Sequence, residues 1–292
     1  MKIMVVGGLN GQLANSLRSL KDKRFCFIGR PEFDFTKPDT IKTVFEGKKP
    51  LLVVNTAAWT AVDAAETNSD EVYQLNCDGP AMLAKLCAVY DVPLIHISTD
   101  YVFDGKKTGP YLETDPVSPQ TVYGKSKAEG EKAILAAHPK TIILRTAWVY
   151  SAHGKNFVKS MITLGASHSL LKVVGDQKGN PTCSDDLASS IQLIANQIIQ
   201  KDWQDKWSGI YHAVGTGEAS WYDLACFTLE QAKLYGQPMP KIISVETHEW
   251  PTPAKRPKNS KLNTDKLAQI FGIKFPHWSE SVQKVVGTVF AA

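Results

Sequence analysis

No stretch of the 292 residues is apolar for the length a bilayer crossing needs, and no run of basic residues gathers the charge in one place. The first absence argues against a spanning segment. The second, with a formal charge of only +4 and scattered lysines, argues against nucleic acid as a partner, although a basic pocket for an anionic ligand is compatible with it. Cysteine is scarce. Cys26, Cys77, Cys87, Cys183 and Cys226 are odd in number and contain no C-x-x-C, so neither a disulfide framework nor a zinc site is expected, only reduced packing thiols. No cluster of His, Asp and Glu stands out, and no metal is expected. The opening MKIMVVGG is a poor signal start, because its apolar run stops at Gly7 and no small-residue cleavage pattern follows. Together these absences predict a cytoplasmic protein with no membrane partner.

What remains is an ordinary globular composition, 43% hydrophobic and 21% charged, long enough for one large or two coupled domains. Lys2 to Val6 is a short apolar strand that runs into Gly7-Gly8-Leu9-Asn10-Gly11-Gln12-Leu13-Ala14, after which Leu13, Leu17 and Leu20 mark a helix face. Glycine permits a tight turn and a close approach to a pyrophosphate, whose charge is favoured by the free N–H groups at a helix N-terminus. The spacing, Gly8-x-x-Gly11-x-x-Ala14, departs from G-x-G-x-x-G, and a plain tight turn is the competing reading. A second strand, Phe25 to Ile28, ends at Gly29-Arg30, about 20 residues after the glycines, where an acid would favour NAD. Arg30 points instead to the 2′-phosphate of NADP, against the alternative of a solvent-facing arginine, and NADH stays open. Phe33-Asp34-Phe35-Thr36 follows, with Asp34 placed either to meet an adenine or to cap.

Leu51 to Asn55 reads as a strand buried on both faces, and the small residues Ala57 and Ala58 beyond it leave room for a cofactor or for close helix packing. A helix is predicted over about residues 70 to 90, then strands over 93 to 97 and 141 to 145. Five strands with intervening helices predict an α/β fold, a Rossmann-type doubly wound parallel sheet over residues 1–150. Residues 151–292 are expected to form mainly a smaller substrate-binding domain, with a long helix at 184–200 packing back on the first. Ser220 and Asp223 have the spacing of a capping box. Residues 247 to 262 carry three prolines and read as a loop facing ligand or solvent.

The chemistry concentrates in residues 93 to 129. The strand ends in Ser98-Thr99-Asp100, and a helix opens near Tyr123 with Lys127 one turn on, so the phenol and the ammonium share a face. Of the nine tyrosines only Tyr123 has a lysine four residues later. A neighbouring positive charge would lower a tyrosine pKa from about 10 and make a general acid or base near neutrality. Thr99 would fix the substrate oxygen that Tyr123 protonates. A solvated helix turn is the bland alternative. Asp100, next along the strand, is expected to point to the opposite face from Thr99.

The Gly8-x-x-Gly11 turn, Ser98-Thr99-Asp100-Tyr101-Val102-Phe103 and Tyr123-Gly124-x-x-Lys127 resemble the extended short-chain dehydrogenases/reductases, which act on nucleotide sugars. Asn55-Thr56-Ala57-Ala58, Arg145-Thr146-x-Trp148-Val149-Tyr150, Asp176-Gln177-x-Gly179-x-Pro181-Thr182 and Thr252-Pro253-Ala254-x-Arg256-Pro257 are similar to the dTDP-4-dehydrorhamnose reductase family within that group. The resemblance implies NADPH-dependent reduction of a C4 ketone, in the formation of dTDP-L-rhamnose for cell-surface polysaccharide, with Tyr123 as proton donor. It implies that Lys127 holds the nicotinamide ribose and lowers the tyrosine pKa, that Thr99 orients the carbonyl, and that Asn76 supports the substrate site. Gly8, Asn10, Gly11, Gln12, Leu13, Arg30, Asp34, Phe35, Ala57 and Ala58 would line the cofactor, Trp148 would lie against the sugar, and Arg256 would pair with the diphosphate. Some relatives dimerise around a carboxylate-held metal. Here Ser16 and Thr288 fall where acids would be sought, leaving Asp185 alone, so a homodimer is left open and a metal is not expected. Two competing readings use the same residues: an epimerase or dehydratase with a retained NAD, and a non-catalytic regulatory subunit that keeps only the cofactor.

Overall fold

The computed structural model describes residues 2–7 and 9–291. Six parallel strands form the central sheet. From one edge they run β2 (Phe25–Ile28), β1 (Ile3–Val6), β3 (Leu52–Asn55), β4 (Leu94–Thr99), β5 (Thr141–Thr146), and last the strand Gly209–His212. The apolar runs of these strands are explained by burial on both faces. On one side Ile3, Val5, Val54, Ile95 and Leu144 pack against Leu187, Ile191 and Ile194 of the helix Ser184–Lys201. On the other, Met4, Val6, Val53, Leu94 and Ile143 meet Ile41 and Phe45 from the helix Pro38–Lys48 and Leu83, Ala84 and Cys87 from the helix Gly79–Val89. Successive side chains point to opposite faces, and covering both with helices is what a parallel sheet requires.

Between β1 and β3 the strand order reverses direction, which opens a crevice beyond their C-terminal ends. A separate core, built from Tyr150, Val158, Ile162, Leu224, Trp278, Val282 and Val286, joins the helices Phe157–Ser167, Trp221–Lys233 and Trp278–Ala291 beside that crevice. The capping box expected at the middle helix is present, with Ser220 and Asp223 each accepting the other's backbone N–H. No described helix is long and apolar enough to cross a membrane.

The helix expected over residues 70 to 90 is interrupted. Ser69–Tyr73 and Gly79–Val89 are α-helical, and between them Gln74–Asp78 forms a wider π turn. Pro80 is the physical reason: it has no N–H for the Asn76 carbonyl, and its ring would crowd that carbonyl in an α-helix. The displaced carbonyl packs against the neighbouring helix Val122–Ala137 at Gly130, where a Cβ would lie only 2.2 Å from the Asn76 oxygen.

Candidate active site

A cavity of about 620 Å³ lies over the C-terminal ends of β1, β3, β4 and β5, within the size range of small-ligand sites. Its walls come from the turn after β1 (Asn10 to Ala14), from Thr56 and Ala58, from Ile97 to Tyr101, and from Thr146 to Val149. The remaining side is closed by Tyr123 and Lys127 and by Trp221. The sequence-predicted trio Thr99, Tyr123 and Lys127 is therefore gathered in one wall.

The helix Val122–Ala137 delivers two of the three. Thr121 caps it by accepting the Gly124 N–H at 3.0 Å, and Glu66 accepts the Val122 N–H at 3.0 Å. Gly124 lets the first turn press against the end of β4, since a Cβ there would lie 2.3 Å from the Tyr101 carbonyl oxygen. Tyr123 consequently packs edge-on against Tyr101, with ring centroids 5.5 Å apart. Lys127 is buried, and its Nζ donates to the Ile97 carbonyl at 2.6 Å and lies 3.1 Å from His96 Nε2.

The electrostatics differ from the expectation at Tyr123. Burial pushes its phenol up to about 12, with the Thr99 hydroxyl opposing and the Asp100 charge adding to the rise. Lys127 is not among the groups that move it, its Nζ being turned to the Ile97 carbonyl and His96. Tyr123 thus holds its proton through neutral pH, the form a proton donor needs.

Asp100 corrects a second expectation. β4 ends at Thr99 and the chain turns at once into the short 3-10 segment Asp100–Val102, so strand alternation no longer applies. The carboxyl swings back to the cavity wall, where Oδ1 accepts from Thr99 Oγ1 at 3.1 Å, while Oδ2 is buried without a partner. Burial raises its pKa to about 6, against the nearby Ser260 and Thr99 hydroxyls.

The remaining expected residues divide into three groups. Asn10, Gly11, Gln12, Leu13 and Ala58 line the cavity, and Gln12 is braced by the Ser151 hydroxyl at 2.9 Å. Gly8 lies outside the described residues. Arg30, two residues beyond β2, is exposed. Trp148 lines the cavity too, with a positive φ of 49° and its ring stacked on Trp221 at 3.7 Å, Gly179 leaving room at its edge.

The others stand elsewhere. Asp34 is a local cap, its Oδ1 accepting from the Thr36 N–H and hydroxyl at 3.0 and 2.9 Å. Phe35 is in the core, against Phe33 and under Gly79, and offers no face to a cofactor. Ala57 closes on Gly7, where a Cβ would lie 2.5 Å from the Ala57 nitrogen. Asn76 is fully buried, accepting the Trp59 N–H at 2.8 Å and donating to Ser126 Oγ at 3.1 Å. It braces the helix beside Lys127 from behind and presents no atom to a substrate. Arg256 makes a two-pronged pair with Asp63 at 3.0 and 2.8 Å, away from the main cavity walls.

Sequence reasoning passed over Trp221, Ser98 and Thr146 as wall residues. Trp221 is coupled to the segment after residue 175 by an indole N–H to Gln177 Oε1 at 3.1 Å, a contact with no local sequence signal. Ser98 and Thr146 are legible only as strand-end hydroxyls. Their oxygens are buried, partnerless and at the cavity wall, so the site holds unsatisfied polar groups where a polar cofactor would satisfy them. That, with the glycine turn and the reversal in strand order, fits a dinucleotide.

A parallel sheet with a dinucleotide crevice and a Thr, Tyr and Lys wall defines a nicotinamide-dependent reductase or dehydrogenase class. The sequence matches the RmlD substrate binding domain over residues 1–290, and the chain belongs to that family. It is 42% identical over 286 residues to a dTDP-4-dehydrorhamnose reductase of Sinorhizobium fredii, covering 97% of this chain and 96% of that protein. The crystal structure of a dTDP-4-dehydrorhamnose reductase from Clostridium acetobutylicum superposes with a TM-score of 0.88 at 39% identity, over 99% of both chains. That of the Bacillus anthracis enzyme in complex with NADP gives 0.88 at 30% identity, over 99% of this chain and 100% of the other.

Proposed function

We propose that this protein reduces the C4 ketone of dTDP-4-dehydro-L-rhamnose to the alcohol of dTDP-L-rhamnose, with NADPH, in the cytoplasm. The observation that carries the reading is the placement of Thr99, Tyr123 and Lys127 in one wall of a cavity at the point where the strand order reverses. When bound, NADPH supplies the hydride. Asn10, Gly11, Gln12, Leu13 and Ala58 would hold its phosphates and adenosine side, and the exposed Arg30 its 2′-phosphate. Residues 1–150 would serve mainly the cofactor and 151–292 mainly the sugar nucleotide.

The chain's own part is to bind, orient and move one proton. Thr99 Oγ1, which accepts the Tyr101 N–H at 3.2 Å and donates its one proton to Asp100 Oδ1 at 3.1 Å, orients the substrate carbonyl by turning that proton from Asp100 to the ketone oxygen. Tyr123, protonated and buried, gives its proton to the oxygen as negative charge develops there. Trp148 offers an aromatic edge to the apolar side of the sugar ring, and Trp221 behind it fixes the indole plane. Arg256 reaches a diphosphate only by sharing its guanidinium with Asp63 or giving up that pair.

The test is NADPH oxidation with dTDP-4-dehydro-L-rhamnose in the wild type and in Tyr123→Phe. Turnover should fall in the variant by about 10²- to 10⁴-fold, the range for loss of a general acid, with NADPH binding kept. A wild type that binds NADPH and turns nothing over would overturn the reading. A dehydratase is the second reading, because Asp100 stands beside Thr99 where that chemistry wants an acid. It separates cleanly, since a dehydratase returns its hydride to the sugar and consumes no NADPH.

A further inference from the structure

His96 lies fully enclosed on β4, behind the cavity wall, and takes no part in the steps above. Both of its ring nitrogens are engaged. Nδ1 is 3.0 Å from the Asn55 amide nitrogen, and Nε2 is 3.1 Å from Lys127 Nζ. The first contact follows from strand pairing, because Asn55 on β3 and His96 on β4 are direct partners in the parallel register.

Counting donors assigns the hydrogens. The Ala57 N–H donates to Asn55 Oδ1 at 3.0 Å, so the Asn55 amide presents its NH₂ to His96 and Nδ1 must accept. A neutral imidazole that accepts at Nδ1 carries its proton on Nε2, aimed at Lys127. An ammonium has three donors and no acceptor, so it would oppose that proton donor to donor. A neutral amine accepts it and still donates to the Ile97 carbonyl. Burial acts in the same sense on both groups, holding His96 well below its usual range and Lys127 at about 8.

The other charged groups around the lysine do not replace this control. Glu131, one turn further on, pulls Lys127 upward but is itself paired with the buried Arg145 of β5 at 2.6 Å. Tyr123 precedes it on the same helix, and Asp100 acts on Tyr123 from the end of β4. Asp63 and Glu66 are held by Arg256 and by the Val122 N–H. Tyr73 and Cys77 face Glu129, and Lys85 is exposed.

We propose that Asn55 and His96 are positioning residues for the reduction: the chain from Ala57 N–H through Asn55 and His96 favours the neutral amine of Lys127 over its ammonium and so weakens the lysine's hold on its proton in the free protein. While the His96 proton stays on Nε2, the Lys127 ammonium has only the Ile97 carbonyl to donate to; moving that proton to Nδ1 would give it a second acceptor, but against Asn55. The proton affinity of the lysine is thereby set from β3, at the floor of the cofactor crevice. The kinetic part of this rests on the reductase reading; the proton placement does not.

The first experiment is ¹⁵N NMR of histidine-labelled wild type in the free state. The His96 ring should show a protonated Nε2 and a bare Nδ1, and a protonated Nδ1 overturns the proposal whatever the enzyme turns over. The second is Asn55→Ala, with Asn55→Ser as the milder variant, both confirmed folded. With Asn55 gone, Nδ1 is free to take the proton and Nε2 to accept from an ammonium. The Lys127 titration, followed by its ¹³Cε shift, should move up by about one pH unit, the equivalent of one hydrogen bond. The corresponding limb of the kcat/KM profile for NADPH oxidation should move with it. Variants that lose rate or stability with the lysine titration unmoved would make the pair merely structural and overturn the proposal. If the wild type turns over no sugar nucleotide, the two NMR measurements still decide it.

Discussion

Replacing Asp100 with asparagine should make the protein more stable at neutral pH. The residue is 3% exposed, with Oδ2 unpartnered, and burial lifts its carboxyl from 3.8 to about 6. A folded-state pKa raised above the unfolded value means that the native state binds the proton more tightly. The stability this gives is fully present below the ordinary carboxylate pKa and is lost as pH rises through about 6. At about 1.4 kcal/mol per tenfold change in proton affinity, the loss approaches about 3 kcal/mol by pH 7. The asparagine side chain would be neutral throughout, and its amide oxygen can still accept from Thr99. The measurement is the unfolding free energy of wild type and Asp100→Asn by urea denaturation across about pH 4 to 7. Other titrating groups cancel in the difference between the two proteins. That difference should move toward the variant by about 2 to 2.5 kcal/mol over this range, mostly between the two pKa values. A difference that stays flat with pH would refute the reasoning, because the carboxyl would then be no more protonated in the folded protein than in the unfolded one.

Two further outcomes follow from the packing. Arg145→Met should cost about 3 to 5 kcal/mol in the same denaturation assay, because it strands the buried Glu131; adding Glu131→Gln should recover much of that loss. An equal loss in the single and double variants would mean that the stranded charge is not the cause. Trp221→Ala removes the surface on which Trp148 stacks, and should abolish the near-ultraviolet circular dichroism of the coupled indoles. It should also raise KM for the sugar nucleotide about 2- to 10-fold with NADPH affinity unchanged. An unchanged KM would remove Trp221 from the substrate wall.

The residues that can be read from the sequence are those whose role is local. Ile3 to Val6 and Leu52 to Asn55 announce strands buried on both faces, Ser220 and Asp223 announce a helix start, and Tyr123 with Lys127 needs only one helical turn. The departures share one cause, which is that a local rule stops holding where tertiary structure ends it. Alternation does not extend from Thr99 to Asp100, because the last paired residue of β4 is Thr99. The periodicity of residues 70 to 90 hides the π turn that Pro80 imposes. The expectation that Lys127 acts on Tyr123 leaves out His96, which in an apolar strand looks like any core residue and to which Nζ turns. Arg256 with Asp63, and Trp148 with Trp221, are pairs made only when distant segments meet, so no spacing in the chain announces them.

The strand Gly209–His212 also has a meaning for how this chain is made. It pairs with Ile142 to Arg145 and so completes the sheet only after nearly three-quarters of the protein has left the ribosome. The helix Ser184–Lys201, which covers much of one face of the sheet, also emerges late, and Leu267, Phe271 and Phe275 join the same core later still. A nascent chain that stops near residue 150 therefore has all the strands the cofactor crevice needs, but an apolar face covered only in part, by Leu17 of the helix Gln12–Ser19, and an open edge on β5. Such a surface invites pairing with other chains. The first half is a recognisable unit in the sequence, yet its core and its sheet edge are completed by residues of the second half.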